Sequence, residues 1–138
     1  MTRPAGYSGK PIGQKLGIKR GFRVKTRNAP PNYRELISPL PDDVKLSSRL
    51  KAPIDLWHVF SRSREELDRI LPQCVEEIRV DGMIWASWPK QSSGVPSDLN
   101  GNEIRSLAFP LGLVDIKDCA VDDVWSELKL VIRKSRRR

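Results

Sequence analysis

Cysteine and histidine are scarce: the 138 residues hold two cysteines, Cys74 and Cys119, and one histidine, His58. Three such ligands far apart in sequence do not build a zinc site of the usual spacing. The cysteines lie in apolar segments and read as buried, reduced thiols. A Ser-His-Asp site would have to use His58, which stands beside Trp57 inside a strand-like run and reads as a hydrogen-bonded core residue. No run approaches the roughly 18 apolar residues of a membrane span. Met1 to Lys10 holds no apolar stretch of the kind a secretory signal needs. The expected location is therefore cytoplasmic, with no membrane partner.

Acidic residues are missing from both flanks. Met1 to Arg34 carries nine bases and no acid, and Leu128 to Arg138 carries six bases and no acid. The segment between them holds 10 bases and all 17 acids, a net of −7, so an acidic body lies between two basic flanks in a chain of net charge +8. Such flanks suit a phosphate backbone or serve simply as solubilising charge. The length argues for one domain. The expected organisation is a flexible 1–6, a single domain over 7–134 and a basic tail over 135–138.

Periodicity supplies the elements. Ser8 is placed to cap a short helix with Ile12 and Leu16 on one face, and Gly17 fits its end. Phe22 to Asn28 reads as a strand with Phe22, Val24 and Thr26 on one face and Arg23, Lys25 and Arg27 on the other. A central parallel strand is normally apolar on both faces, so either one face here is poorly covered or the long basic side chains snorkel to water. Pro30-Pro31 opens a short helix through Tyr33, Leu36 and Ile37. Val44 to Leu46 is a short strand, and Ile54 to Phe60 the clearest one. Ser63-Arg64-Glu65-Glu66 is a capping box for a helix carrying Leu67, Ile70, Leu71, Cys74, Val75 and Ile78, which Pro72 is expected to kink or split. Asp81-Gly82 reads as a turn before a buried strand, Met83 to Trp88. A polar loop leads to a helix capped by Ser97 or Asn100 and ended early by Pro110. Leu113 to Val121 and Leu128 to Arg133 close the chain as an antiparallel hairpin across Asp122-Asp123.

Strands alternating with helices predict an α/β fold: an open, mostly parallel, Rossmann-like sheet with helices on its faces and a C-terminal antiparallel hairpin. The basic strand, the Asp55-Leu56-Trp57-His58-Val59-Phe60 strand, the run Val80 to Trp85, and Leu111-Gly112-Leu113-Val114 before a terminal hairpin carry a further likeness. Over roughly Gly21 to Lys134 this order resembles the second half of class I S-adenosylmethionine-dependent methyltransferases, from the strand before the catalytic helix to the closing antiparallel strand. That resemblance implies a glycine-rich turn after the first strand and a ribose-binding acid after the second. The chain has Asn28-Ala29-Pro30-Pro31-Asn32-Tyr33 and Ser47-Ser48-Arg49-Leu50-Lys51 instead. On those departures S-adenosylmethionine is not expected to bind, and no cofactor is expected.

Tyr7-Ser8-Gly9-Lys10-Pro11, Lys15-Leu16-Gly17-Ile18, Asn28-Ala29-Pro30, Ser87-Trp88-Pro89-Lys90 and Trp125 to Val131 resemble an uncharacterised bacterial family, domain-of-unknown-function family 3052. The resemblance implies a bacterial, cytoplasmic protein and no particular chemistry. The resulting expectation is a non-catalytic, methyltransferase-like binding or regulatory module. The alternatives are a small divergent methyltransferase and a nucleic-acid-associated protein using the basic flanks.

Ligands of open α/β sheets bind beyond the carboxyl ends of the strands. The loops there hold the candidate ligand-binding residues Asn28, Tyr33, Trp88, Lys90, Ser93, Asp98 and Trp125. Lys90 offers a charge and Tyr33 or Trp88 a stacking surface, so a small anionic ligand is the expected occupant. Asn28, Tyr33, Trp88 and Lys90 are expected around one concavity, with the helix after Pro30-Pro31 aiming its N-terminus at it. No catalytic residue and no metal ligand stands out.

Overall fold

The computed structural model describes residues 12–136. The proposed cap Ser8, the 1–6 segment and the last two arginines lie outside the described residues. Ten elements follow in chain order: α1 Ile12–Leu16, β1 Arg23–Arg27, α2 Tyr33–Ile37, β2 Lys45–Ser47, β3 Ile54–Phe60, α3 Arg64–Glu77, β4 Ile78–Pro89, α4 Gly101–Ala108, β5 Leu113–Ala120 and β6 Trp125–Ile132. One six-stranded sheet runs in the order β2-β1-β3-β4-β6-β5. The β1–β2, β1–β3 and β3–β4 pairs are parallel, and β4–β6 and β5–β6 are antiparallel. No helix among the described residues is long and apolar enough to cross a membrane.

Strand alternation divides the core into two layers. Trp57, Val59, Ile84, Ala86, Trp88 and Leu128 face α3 and α4. Val24, Leu56, Phe60 and Trp85 face α1 and α2, which contribute Ile12, Leu16, Tyr33 and Ile37. The basic face of β1 lies on the α3 side. There Lys25 Nζ meets Glu77 Oε1 at 2.9 Å, and Trp57 Nε1 donates to the same oxygen at 2.8 Å. Burial works to raise the Glu77 pKa, but hydrogen bonds from Gln73, Lys25 and Trp57 outweigh it and leave the carboxyl below its ordinary range. Arg23 donates to the carbonyls of Pro53 and Lys51, and Arg27 is exposed. The long basic side chains thus cover a strand face that an apolar helix would otherwise cover.

Two local expectations are corrected. Pro72 does not split α3, which runs unbroken for 14 residues. Pro72 and Asp68, whose carbonyl loses its partner, are both exposed, so the freed carbonyl lies at the surface where solvent can reach it. Asp81-Gly82 is not a turn before the strand but part of a 12-residue β4. Between Ile54↔Ile78 and Leu56↔Met83, β4 holds extra residues as a bulge against β3. Gly82 is needed there: a Cβ would stand 3.0 Å from Arg79 O and 3.1 Å from Asp55 O. The bulge also brings Arg79 Nε to 3.0 Å from Asp55 Oδ1. As expected from sequence, Pro110 closes α4 early, and residues 109–111 continue as a single tight 3-10 turn.

Candidate functional site

Parallel neighbours put their following loops on one edge of the sheet. Arg27 pairs with Val59, so Asn28 stands beside Phe60 at the carboxyl ends of β1 and β3. A cleft of about 570 Å³ opens there, lined by Asn28, Ala29, Phe60, Ser61, Arg62, Ser63, Glu66 and Trp125. The first turn out of β1 is made by Asn28 at φ 58°, the left-handed region. Asparagine is the residue other than glycine that tolerates it best. Its Nδ2 lies 3.4 Å from both Phe60 O and Glu66 Oε1, which ties the loop to the opposite wall.

Glu66 enters the cleft because the capping box is only half made. Ser63 caps α3 by accepting from Glu66 N at 3.2 Å. In a full box the Glu66 carboxylate would return the bond to Ser63 N. Ser61 Oγ takes that N–H instead, at 3.2 Å, and its single proton faces both Glu66 Oε1 at 2.9 Å and Ser63 O at 3.0 Å. The carboxylate is thereby released from the helix end and held, half-buried, at the cleft wall.

Behind the cleft runs a buried polar chain. Trp125 meets the edge of Phe60 at 5.0 Å between ring centroids, and Phe60 stacks on His58 at 4.3 Å. Tyr33 Oη lies 2.8 Å from His58 Nδ1, and Ser87 Oγ lies 2.7 Å from His58 Nε2. Glu127 Oε2, fully buried, lies 3.6 Å from the same Nε2 and has no hydrogen-bond partner among the described residues. Cys119 Sγ donates to Glu127 Oε1 at 3.0 Å, and Lys15 Nζ donates to Ala120 O at 3.1 Å. Burial disfavours every charge here. It lowers His58 to about 3 and raises Glu127 to about 7. Cys119 is pushed up to about 12 by burial and by Glu127, and Tyr33 is raised for the same two reasons. Between about pH 3 and pH 7 the His58–Glu127 contact is therefore one between neutral groups, not an ion pair.

Of the residues expected from sequence, Asn28 and Trp125 line the cleft. Tyr33 is buried with its hydroxyl on His58, and Trp88 packs into the core on the α3–α4 face. Lys90 is half-buried, with its backbone N–H on Val124 O at 2.6 Å. Ser93 Oγ donates to Lys90 O, and Asp98 Oδ1 accepts from Arg64 N at 2.8 Å at the start of α3. The structure thus does not gather Asn28, Tyr33, Trp88 and Lys90 around the cleft. The helix after Pro30-Pro31 spans only 5 residues, too few for an N-terminal anion site. Ser61, Arg62 and Glu66 line the cleft without having stood out in the sequence as ligand-binding residues. One signal does point to them: Phe60 to Arg62 is the end of the clearest strand.

No protein-family model matches the chain. No curated protein matches it significantly in sequence. The fold does have known counterparts. A magnesium protoporphyrin IX methyltransferase from Synechocystis PCC 6803 with bound S-adenosylmethionine has a TM-score of 0.60 at 7% identity, over 88% of this chain and 74% of that one. An O-methyltransferase from neocarzinostatin biosynthesis, in complex with S-adenosylhomocysteine and 1,4-dihydroxy-2-naphthoic acid, has a TM-score of 0.61 at 12% identity, over 94% of this chain and 52% of that one. The M1A22 tRNA methyltransferase of B. subtilis has a TM-score of 0.62 at 8% identity, over 88% and 64%. In the last two the chain spans less than two thirds of its counterpart's length.

The fold is accordingly that of class I S-adenosylmethionine-dependent methyltransferases. One expectation is overturned: the absence of a cofactor, and of S-adenosylmethionine in particular. Proteins with this fold hold S-adenosylmethionine or S-adenosylhomocysteine. The missing glycine turn does not weigh against it, because Asn28 adopts the left-handed conformation that a glycine would supply.

Proposed function

We propose that the chain is a divergent methyltransferase domain that binds S-adenosylmethionine in the cleft between Asn28 and Glu66. The observation that carries this reading is the half-made capping box, which leaves a held carboxylate at the carboxyl ends of β1 and β3. The residues present fit the cofactor. Glu66 offers a counter-charge to a sulfonium or ammonium group, or an acceptor for ribose hydroxyls. Asn28 makes the left-handed turn that ends β1 at the cleft, and Trp125 and Phe60 give an apolar wall. When bound, the cofactor supplies an electrophilic methyl group. The chain's own part is to orient it: Ser61 fixes Glu66, and Asn28 bridges the two walls.

A binding or regulatory module without transfer is the second reading. It is favoured by one observation: among the described residues lining the cleft, Glu66 is the single carboxylate, histidine, tyrosine or cysteine, and it is already hydrogen-bonded. The bacterial and cytoplasmic setting implied by the likeness to family 3052, and a nucleic-acid partner for the basic flanks, belong to this proposal as well.

Titration calorimetry with S-adenosylhomocysteine tests the binding. Saturable binding is expected, with about 2.7 kcal/mol of stabilisation at 100 times the dissociation constant. Glu66→Gln should weaken it about tenfold, in line with the loss of a charge-assisted hydrogen bond worth roughly 1.5–3 kcal/mol. No saturable binding at millimolar ligand defeats the proposal. Product formation from labelled cofactor separates transfer from binding alone.

A further inference from the structure

The last two strands carry a surface that neither core layer uses, and strand register fixes its members. Lys129 lies opposite Trp85, which packs beneath α1, so Lys129 is on the α1 side of the sheet with its Nζ 5.9 Å from the Trp85 ring centroid. Lys117 lies directly opposite Lys129, and Val114 directly opposite Val131. Lys129 and Val131 are two residues apart in β6, so both pairs point to the same side. Ile116 is the residue skipped where the register shifts between Asp115 and Lys117, and it is 56% exposed. A trough of about 350 Å³ runs among Val114, Ile116 and Val131, with Arg133 and Lys134 also lining it. None of these three apolar residues belongs to either core layer.

Two lysines directly opposite each other in a ladder repel. Lys19, in the loop after α1, adds a third ammonium: burial first, and then Lys117 and Lys19, hold the Lys129 pKa below its ordinary value. Lys19 belongs to one acid-free flank of the sequence and Lys129 to the other, and the fold brings the two together here. None of the three lysines forms an ion pair among the described residues. The nearby carboxylates do not answer them. Asp115 is held by Arg105 at 2.9 Å, and Asp118 lies opposite Leu128, which faces α3 and α4. Glu127 shares the lysines' side but is fully buried, and burial disfavours its charge. Residues 1–11 and 137–138 contain four bases and no acid, so neither stretch supplies a counter-charge.

We infer that this face docks an acidic segment of a partner protein, whose carboxylates sit on Lys117, Lys129 and Lys19 and whose apolar side chain enters the trough of Val114, Ile116 and Val131. Charge complementarity selects the occupant. A second copy of the chain, set face to face, would bring lysine against lysine. The apolar side chains line a concavity, which seats a side chain of a peptide but does not reach into a lipid surface. A phosphate backbone has nothing apolar to place there. A bound carboxylate also relieves the repulsion between Lys117 and Lys129, so binding and strand pairing favour each other. The inference does not rest on the proposed cofactor cleft, which opens at the ends of β1 and β3.

Fluorescence polarisation with a labelled peptide in which two leucines are flanked by aspartates tests it. One control peptide replaces the leucines by serines, the other the aspartates by lysines. At low salt the aspartate–leucine peptide is expected to bind saturably, about tenfold more tightly than either control, and to weaken as salt screens the charges. Lys117→Glu should abolish binding and raise the thermal midpoint of the free protein, because it sets an acid opposite Lys129. That rise separates lost docking from a lost fold. Ile116→Ser should weaken binding severalfold and leave the midpoint in place, since Ile116 is exposed. No saturable binding overturns the inference, as does binding that Lys117→Glu leaves intact. Equal affinity for the serine control also overturns it, because the face would then read charge alone. Tighter binding of phosphatidylglycerol vesicles or of an oligothymidylate than of the peptide overturns it as well, and assigns the face to a lipid surface or to a nucleic acid.

Discussion

Replacing Glu127 with glutamine should stabilise the protein relative to the parent by about 3 kcal/mol as the pH rises from 4.5 to 7. Glu127 is buried in β6, and burial raises its carboxyl from 4.5 to about 7. The unfolded chain gives up this proton near pH 4.5, while the folded chain keeps it until about 7. Between those values the folded state binds more protons, so stability falls as pH rises and stays lost once the folded carboxyl has ionised. Glutamine keeps the shape and cannot ionise. His58 has the opposite sign: its pKa is lowered from 6.5 to about 3, so its contribution grows as pH rises through that range. From 4.5 to 6.5 the two slopes oppose each other in the parent. Glu127→Gln exposes the histidine slope alone. Urea unfolding of both proteins across this range reads the difference. Parallel curves would show that Glu127 is ionised in the fold throughout.

Trp85→Ala should cost about 3–5 kcal/mol, the range for deleting a buried tryptophan. Trp85 is fully buried in β4, and its Nε1 donates to Leu16 O at 3.0 Å. The side chain therefore fills the layer beneath α1 and also satisfies the carbonyl at the end of α1. Trp85→Phe separates the two roles. It keeps most of the packing but leaves Leu16 O unpaired, at a cost of about 1–3 kcal/mol. Urea unfolding again measures both. A loss under about 1 kcal/mol for the alanine variant contradicts the packing of α1 against β4.

The architecture is legible in the sequence where one local signal dominates. The apolar run Ile54–Phe60 marks β3 with its observed ends, and Ser63 marks the cap of α3. The placement of β1 beside β3 and β3 beside β4 agrees with the strand order that the methyltransferase resemblance implies, and the closing hairpin follows from the short turn at Asp122-Asp123. Expectations fail where tertiary contacts override a local preference. Asp81-Gly82 has turn chemistry, yet its backbone is held in a bulge against Asp55 and Arg79. Trp88 and Tyr33 sit next to strand ends in sequence, but side-chain alternation and the His58 contact turn both inward. Glu66 is legible only as a cap, because the competing hydroxyl of Ser61 lies outside the four-residue box. The missing glycine misleads on the cofactor, because the turn requires a left-handed residue and Asn28 provides one.

Amide chemical-shift mapping of the uniformly labelled protein with S-adenosylhomocysteine tests the proposed cleft most directly. Saturable shifts are predicted at Asn28, Ala29, Ser61, Arg62 and the Trp125 indole, the groups around the cleft at the ends of β1 and β3. Absence of shifts at saturating ligand would contradict a cofactor cleft at this edge of the sheet. So would shifts confined to the apolar patch of Val114, Ile116 and Val131 on the β5–β6 side.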